Sequence, residues 1–405
     1  MFQRITGGHS NKLNSFTFAG IMSSQHYMER CLELALRGAG YVAPNPMVGA
    51  VLVYEDRIIG EGWHQQYGEA HAEVNCIESV KEKDKHLISQ STLYVSLEPC
   101  AHFGKTPPCT DLIIKNKIPK VIIGCPDPFK EVDGKGIEKL KAAGVDMEVG
   151  ILENECKELN KRFFTFHIKH RPYVILKWAQ TGDGMIAASP NPSQGGALES
   201  AKNKESFALS GSEVPPCEGF RGASRLLISN EYSNRLVHKW RSEEAAILVG
   251  TNTALQDDPE LTTRLWPGKS PVRLVIDMNL RLPTFLKVFN GEVKTIIFNT
   301  VRQEEKENLL YFKLEKNKNL VPQLMNALYQ LNIQSVLVEG GAKLLQSFID
   351  EGIWDETRVV SSVELRPDSY RDSSGLAAPV LANAIKTSEQ MIITDKIEIY
   401  EPKHS

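Results

Sequence analysis

STLYVSLEPCAHFGKTPPCTDLIIKNKIPKVIIGCPD, residues 91–127, decides the fold of the first part of the chain. STLYVSLEP (91–99) and KVIIGCPD (120–127) are short apolar, β-branched runs of the kind that form buried strands. CTDLIIKN between them reads as a helix, so the stretch is a strand–helix–strand unit whose strands belong in a parallel sheet. Upstream, MVGAVLVYED (47–56) and IIGEGWH (58–64) are two tightly joined strands, and a helix starts at His71 and runs through HAEVNCIESV. Ser24 is placed to cap a helix whose Met28, Cys31, Leu32 and Ala35 make one apolar stripe. Downstream, GIEKLKAAG reads as a helix, VDMEVG (145–150) as a strand and ENECKELNKRFFTFH as one longer helix. The result is an α/β layered domain with a largely parallel sheet, spanning 22–168.

After the connector IKHRP the rhythm restarts. VILKWAQ, AAILVGT, VRLVIDM, VKTIIFNT, QSVLVEGG and TRVVSSVEL are strands of a second α/β domain, 169–405. Residues 189–222 interrupt it with a Ser-, Pro-, Gly- and Glu-rich segment, read as a disordered insertion in which Cys217 is a free surface thiol. Residues 1–21 lack a continuous apolar core and read as a disordered leader, not a secretory signal. The 405 residues carry 47 Lys+Arg and 50 Asp+Glu, a net charge of −3, which argues against a general nucleic-acid or anionic-membrane binder. No apolar run reaches the roughly 18–20 residues needed to span a bilayer. Seven cysteines, an odd number without repeating spacing, fit reduced thiols in a cytoplasmic protein, some of them available to a metal.

The chemistry concentrates in His71-Ala72-Glu73 followed by Pro99-Cys100 and Cys109. One imidazole and two thiolates are a donor set that zinc prefers, and three protein ligands leave a fourth position for water. Glu73 stands close enough to His71 to exchange a proton with that water without being a ligand. The order matches the zinc-deaminase signature H-x-E…P-C-x-x-C, except that the second cysteine is nine positions on, across the loop AHFGKTPP. In the second half no G-x-G-x-x-G is present, but Gly340-Gly341 turns a strand into the helix AKLLQSFID and can offer backbone N–H groups to a phosphate. Read alone, that feature is also an ordinary turn, and Thr253, Asp257 and Arg264 are also an ordinary cap and surface charges.

PCAHFGKTPPC and the upstream APNPMVGAV are similar to the deaminase half of the bifunctional riboflavin-biosynthesis deaminase/reductase family. That resemblance implies a cytidine-deaminase-like domain in which His71, Cys100 and Cys109 bind one zinc ion, Glu73 moves the protons and Asn45 contacts the pyrimidine. His102 is expected to order the loop or touch substrate in preference to serving as a fourth ligand, and Lys105 to be solvated in preference to meeting a phosphate. VILKWAQTGDG, HKWRSEEAAILVGTNTALQDDPELTTR, VRLVIDMNL and VEGG resemble the reductase half, which implies a dihydrofolate-reductase-like fold using NADPH. Carried over, Ala179, Leu227, Thr253, Asp257, Met278 and the turn Gly341, Ala342, Lys343 and Leu344 lie against the cofactor. Lys177, Arg225, Arg241, Leu261, Arg264 and Glu339 face the substrate, the two latter arginines suiting its phosphate through their bidentate forks.

Two departures touch the reductase half: TGDG stands at 181–184 where the family has SLDG, and Leu227 stands where it has a cofactor-facing Trp. The implied activity is hydrolytic deamination of a phosphoribosylated diaminopyrimidinone, then NADPH-dependent reduction of its ribosyl group to ribityl. The expected partner is that small phosphorylated pyrimidine, with no nucleic acid, no membrane and room for a homo-oligomer. The alternative is a deaminase-only protein, in the riboflavin pathway or on tRNA or nucleosides, with an impaired reductase half. A zinc-stabilised assembly module is a further rival, disfavoured because a structural site has no use for Glu73.

Overall fold

Alternation of short apolar runs with amphipathic segments produces two α/β units in the computed structural model, which describes residues 15–103, 107–129, 132, 134–186, 228–363 and 376–403. The first contains α1 (Ser15–Leu36), β1 (Gly49–Tyr54), β2 (Arg57–Trp63), α2 (Ala72–Glu78), β3 (Thr92–Leu97), α3 (Cys109–Lys115), β4 (Lys120–Cys125), α4 (Lys135–Ala142), β5 (Asp146–Val149), α5 (Glu153–Leu159) and α6 (Lys161–Lys169). Its sheet runs β2-β1-β3-β4-β5, with β1 antiparallel to both neighbours and β3, β4 and β5 parallel. Successive side chains point to opposite faces, and both faces are buried. Ala50, Leu52, Leu93, Val95, Val121 and Ile123 pack with Cys76, Ile113 and Leu140 of α2, α3 and α4. Val51, Tyr94 and Ile122 pack on the other side with Met28, Cys31 and Cys156 of α1 and α5.

Two readings need correction. Ser24 does not cap the first helix, because α1 already begins at Ser15 and includes residues assigned to the leader; residues 1–14 lie outside the described residues. The single helix expected over ENECKELNKRFFTFH is two, broken at Asn160. The break has a cause. The Asn160 side chain accepts from the Met47 amide and donates to the Met47 carbonyl, both at 2.8 Å, and its backbone leaves helical geometry at φ −107°, ψ 23°.

The second unit contains β6 (Tyr173–Thr181), β7 (Met185–Ile186), α7 (Glu231–Glu243), β8 (Ala246–Gly250), α8 (Thr251–Asp257), β9 (Val272–Ile276), β10 (Thr295–Asn299), β11 (Glu304–Lys306), β12 (Leu309–Lys313), α9 (Leu320–Gln330), β13 (Ser335–Val338), α10 (Ala342–Asp350), β14 (Glu356–Ser362), β15 (Leu376–Ala377), β16 (Ala384–Ile392) and β17 (Asp395–Pro402). Its main sheet runs β11-β12-β10-β9-β8-β13-β6-β14-β17-β16, parallel through β12, β10, β9, β8 and β13. The hairpin β16–β17 escapes sequence reading because β16 is exposed along nearly its whole length and carries little apolar alternation. By contacts, the first unit comprises Met1–Tyr173 with Leu324–Ser335, and the second Val174–Gln323 with Val336–Ser405. The contact division thus falls between Tyr173 and Val174, and Leu324–Gln330, most of α9, groups with the first unit. The insertion 189–222 lies outside the described residues.

Candidate functional site

A set of side chains able to hold a metal ion is assembled by three element ends. A Cβ at Gly62 would stand 2.2 Å from the Cys76 amide, so glycine there lets α2 lie directly on β2. His71 is the extended N-cap of α2 (φ −72°, ψ 168°) and Glu73 lies in its first turn. Cys100 follows β3, and Cys109 opens α3. His71 Nδ1 is 3.3 Å from Cys109 Sγ and 3.6 Å from Cys100 Sγ, and the Cys109 amide donates to Cys100 Sγ at 3.4 Å. The three ligand atoms lie within 4.8 Å of one another, the spacing of a ready cation cage.

Protonation equilibria follow from that crowding. The hydrogen bond from Cys109, assisted by His71, holds the Cys100 thiol well below its usual range, and Cys100 in turn raises Cys109. Glu73 is 3 % exposed; burial pushes its carboxyl up, and its side chain reaches Cys109. A buried carboxyl beside a His/Cys/Cys set is suited to taking and returning a proton.

Three further residues shape this site and were not expected from the sequence. His64 places Nδ1 3.0 Å from the Ala70 carbonyl, so that nitrogen carries the proton and Nε2 is an acceptor. Nε2 receives the Asn45 side-chain N–H at 3.1 Å, which leaves the Asn45 carbonyl oxygen for a ligand. The His64 ring stands edge-on to His71, centroids 5.5 Å apart, so one imidazole links Asn45 to the neighbourhood of His71. Burial lowers His64, consistent with a neutral ring.

Glu98, 4 % exposed, accepts four backbone N–H groups: Gly136 (2.9 Å) and Ile137 (3.2 Å) on Oε1, Gly134 (3.1 Å) and Asp127 (3.2 Å) on Oε2. It thereby ties the segment after β4 to the Pro99-Cys100 turn, where Gly136 approaches so closely that a Cβ would stand 2.1 Å from the Pro99 carbonyl. Phe129 from that segment faces the His102 ring at 6.3 Å, and His102 Nδ1 is buried with no hydrogen-bond partner among the described residues. Asn160 is the third, gripping Met47 beside Asn45. No single-residue signal marks these roles, because each partner is distant in sequence. Lys105 lies outside the described residues.

In the second unit the anticipated residues gather at the carboxyl ends of neighbouring parallel strands, where open α/β sheets bind ligands. Thr253 and Asp257 follow β8, Met278 follows β9, and Glu339 and Gly341 follow β13. Lys177 and Ala179 lie on β6 beside them in the sheet. Arg241 grips Glu339 with both ends of its fork, Nε–Oε1 2.9 Å and Nη2–Oε2 2.7 Å, and Lys177 Nζ stands 4.0 Å from Oε2. Burial would raise Glu339, but Arg241 and Lys177 outweigh it and hold the carboxyl at about 2. Burial, then Arg241 and Arg264, hold His238 down to about 4.

The Gly341 amide donates to Thr253 Oγ1 at 3.0 Å, so the turn before α10 meets the start of α8. Gly341 caps α10 without a side chain, and Ala342, Lys343 and Leu344 form its first turn. Leu261 is buried with φ +54°, and Arg264 reaches Glu260 at 3.1 Å on the rim of a groove of about 740 Å³ that Asn234, Arg235 and Trp266 also line. Arg225 and Leu227 lie outside the described residues.

Residues 22–125 match the cytidine and deoxycytidylate deaminase zinc-binding region, and residues 172–362 match the RibD C-terminal domain. The riboflavin biosynthesis protein RibD of Aquifex aeolicus is 40% identical over 82% of this chain and 84% of its own length. That of Bacillus amyloliquefaciens is 37% identical over 82% of each. The crystal structure of a diaminohydroxyphosphoribosylaminopyrimidine deaminase/5-amino-6-(5-phosphoribosylamino)uracil reductase from Thermotoga maritima superposes with a TM-score of 0.77 at 33% identity, covering 95% of this chain and 99% of that one. Among the described residues no helix is long and apolar enough to cross a membrane.

Proposed function

The chain belongs to the RibD family of riboflavin-biosynthesis proteins, and from that premise we propose how its residues divide the work. It is a bifunctional enzyme, a deaminase in its first half and a reductase in its second. The substrate in our reading is the phosphoribosylated diaminopyrimidine named for the Thermotoga relative, and the deaminated product is the substrate of the second half.

The observation that carries the first assignment is the His71, Cys100 and Cys109 cluster beside buried Glu73. Those three residues would hold zinc: their donors are the imidazole and thiol types zinc takes, and they converge without backbone rearrangement. Zinc, when bound, supplies a water of lowered pKa as nucleophile. Glu73 accepts the proton from the attacking water and returns it to the departing amine. Asn45 orients the pyrimidine through its side-chain carbonyl, with His64 fixing which end of the amide faces inward.

In the second half NADPH, when bound, is the hydride donor, and the first turn of α10 would support its phosphates, the Gly341 amide itself being taken by Thr253 Oγ1. Arg241, Lys177 and Glu339 form one buried charged set, which in our reading faces the substrate, with the half-exposed Arg264 offered to its phosphate. The deaminase-only alternative finds no support: the second half matches the RibD C-terminal domain and its charged set is assembled. The test is to incubate the protein with the phosphorylated diaminopyrimidine, with and without NADPH, following ammonia and NADPH separately. Ammonia without NADPH, and NADPH oxidation only after deamination, is the expected pattern. Absence of either activity refutes the assignment of that half.

A further inference from the structure

Gln334 immediately precedes β13, 290 positions after Pro44, yet it groups with the first unit. The residue is 6 % exposed, and its Nε2 donates to the Pro44 carbonyl at 2.7 Å. Its own carbonyl accepts from the Tyr173 amide at 2.8 Å, which pins its backbone independently of the side chain. Proline has no N–H, so the carbonyl is the one hydrogen-bonding group Pro44 offers. On the far side of Asn45, Asn160 grips both polar groups of Met47. The loop that presents Asn45 is thus clamped before and after it by side chains from distant parts of the chain, and the Asn45 amide is set between them by His64.

We propose that Gln334 is a positioning residue for deamination, setting the loop that carries Asn45 and thereby the affinity of the first active site for its pyrimidine. The proposal rests on the reading of Asn45 as the pyrimidine contact. It makes the deaminase depend on a segment that the sequence places inside the reductase half.

The experiment uses the full chain with Gln334→Met, which keeps the shape and removes the donor, and Gln334→Glu, which sets a carboxylate against the Pro44 carbonyl. Asn45→Ala is the control. Loss of one such bond raises KM for ammonia release by about three- to tenfold, with kcat within about twofold. Zinc content and NADPH oxidation on supplied deaminated substrate stay at the wild-type level. In Gln334→Glu the ratio of KM to wild type falls as pH drops toward the carboxyl's own titration range, because a protonated carboxyl donates again. A purely structural role would lower the amount of active protein and leave KM and its pH dependence unmoved. Wild-type KM in both Gln334 variants, with KM raised in Asn45→Ala, overturns the proposal. Unchanged KM in Asn45→Ala overturns the Asn45 reading and the proposal with it.

Discussion

Glu98→Gln keeps the outline of the side chain and changes only what one of its ends accepts. In the native fold each carboxylate oxygen takes two backbone N–H groups, Gly136 and Ile137 on one, Gly134 and Asp127 on the other. Whichever way the amide is turned, one of those pairs then faces two N–H donors. Hydrogen bonds to a charged group contribute about 1.5–3 kcal/mol each, and an orphaned buried donor costs about 1–3 kcal/mol. Two lost bonds, partly relieved by movement of the segment after β4, cost about 3–5 kcal/mol. That is a large share of the roughly 5–15 kcal/mol that holds a domain folded. At about 2–4 °C per kcal/mol, the melting transition of the first unit falls by about 6–20 °C, while the second unit keeps its own. Differential scanning calorimetry, with ammonia release and NADPH oxidation as unit-specific markers of inactivation, reads both. A fall of less than about 2 °C in the first transition would show that the four N–H groups find other partners, and the argument would fail.

His71→Ala and Cys109→Ser should each lower zinc content by elemental analysis; full occupancy in both would remove them from the ligand set. Glu339→Gln should abolish most NADPH oxidation and destabilise the second unit by about 3–5 kcal/mol at neutral pH, because Arg241 is left buried without its partner. Glu339 is held at about 2, so its contribution is complete above about pH 4.5 and fades as pH falls toward about 2. Urea midpoints of wild type and Glu339→Gln should converge over that window, and a gap that persists undiminished would contradict the pairing. His238 is held down to about 4 against roughly 6.5 in the unfolded chain, so the second unit should gain stability as pH rises between those values. His238→Gln should flatten that slope; an unaltered slope would place the titration elsewhere.

Periodicity and spacing made the strand–helix–strand core legible, because both faces of the first sheet are apolar and the runs read as buried strands. The His71, Glu73, Cys100 and Cys109 set was legible because zinc chemistry restricts both residue type and order. What escaped depends on pairing across the sequence. Asn160 breaks a helix to serve Met47, Glu98 collects amides from residues up to 39 positions away, and Gln334 reaches back to Pro44. A polar side chain in a helical or strand pattern looks alike whether it faces solvent or a backbone far along the chain. In the second half the residues proposed to face ligands come from the resemblance and not from periodicity, whereas the exposed β16 lacks the alternation that would mark it as a strand.

The central claim is that a buried carboxyl beside a His/Cys/Cys metal set drives deamination in a chain that also reduces the product. Glu73→Gln in the full-length protein tests it most directly, because the amide fits the same buried place and cannot accept a proton. Zinc content and NADPH oxidation on supplied deaminated substrate should match wild type, while ammonia release falls by about 100- to 10,000-fold. Ammonia release within about tenfold of wild type, with zinc retained, would contradict the account.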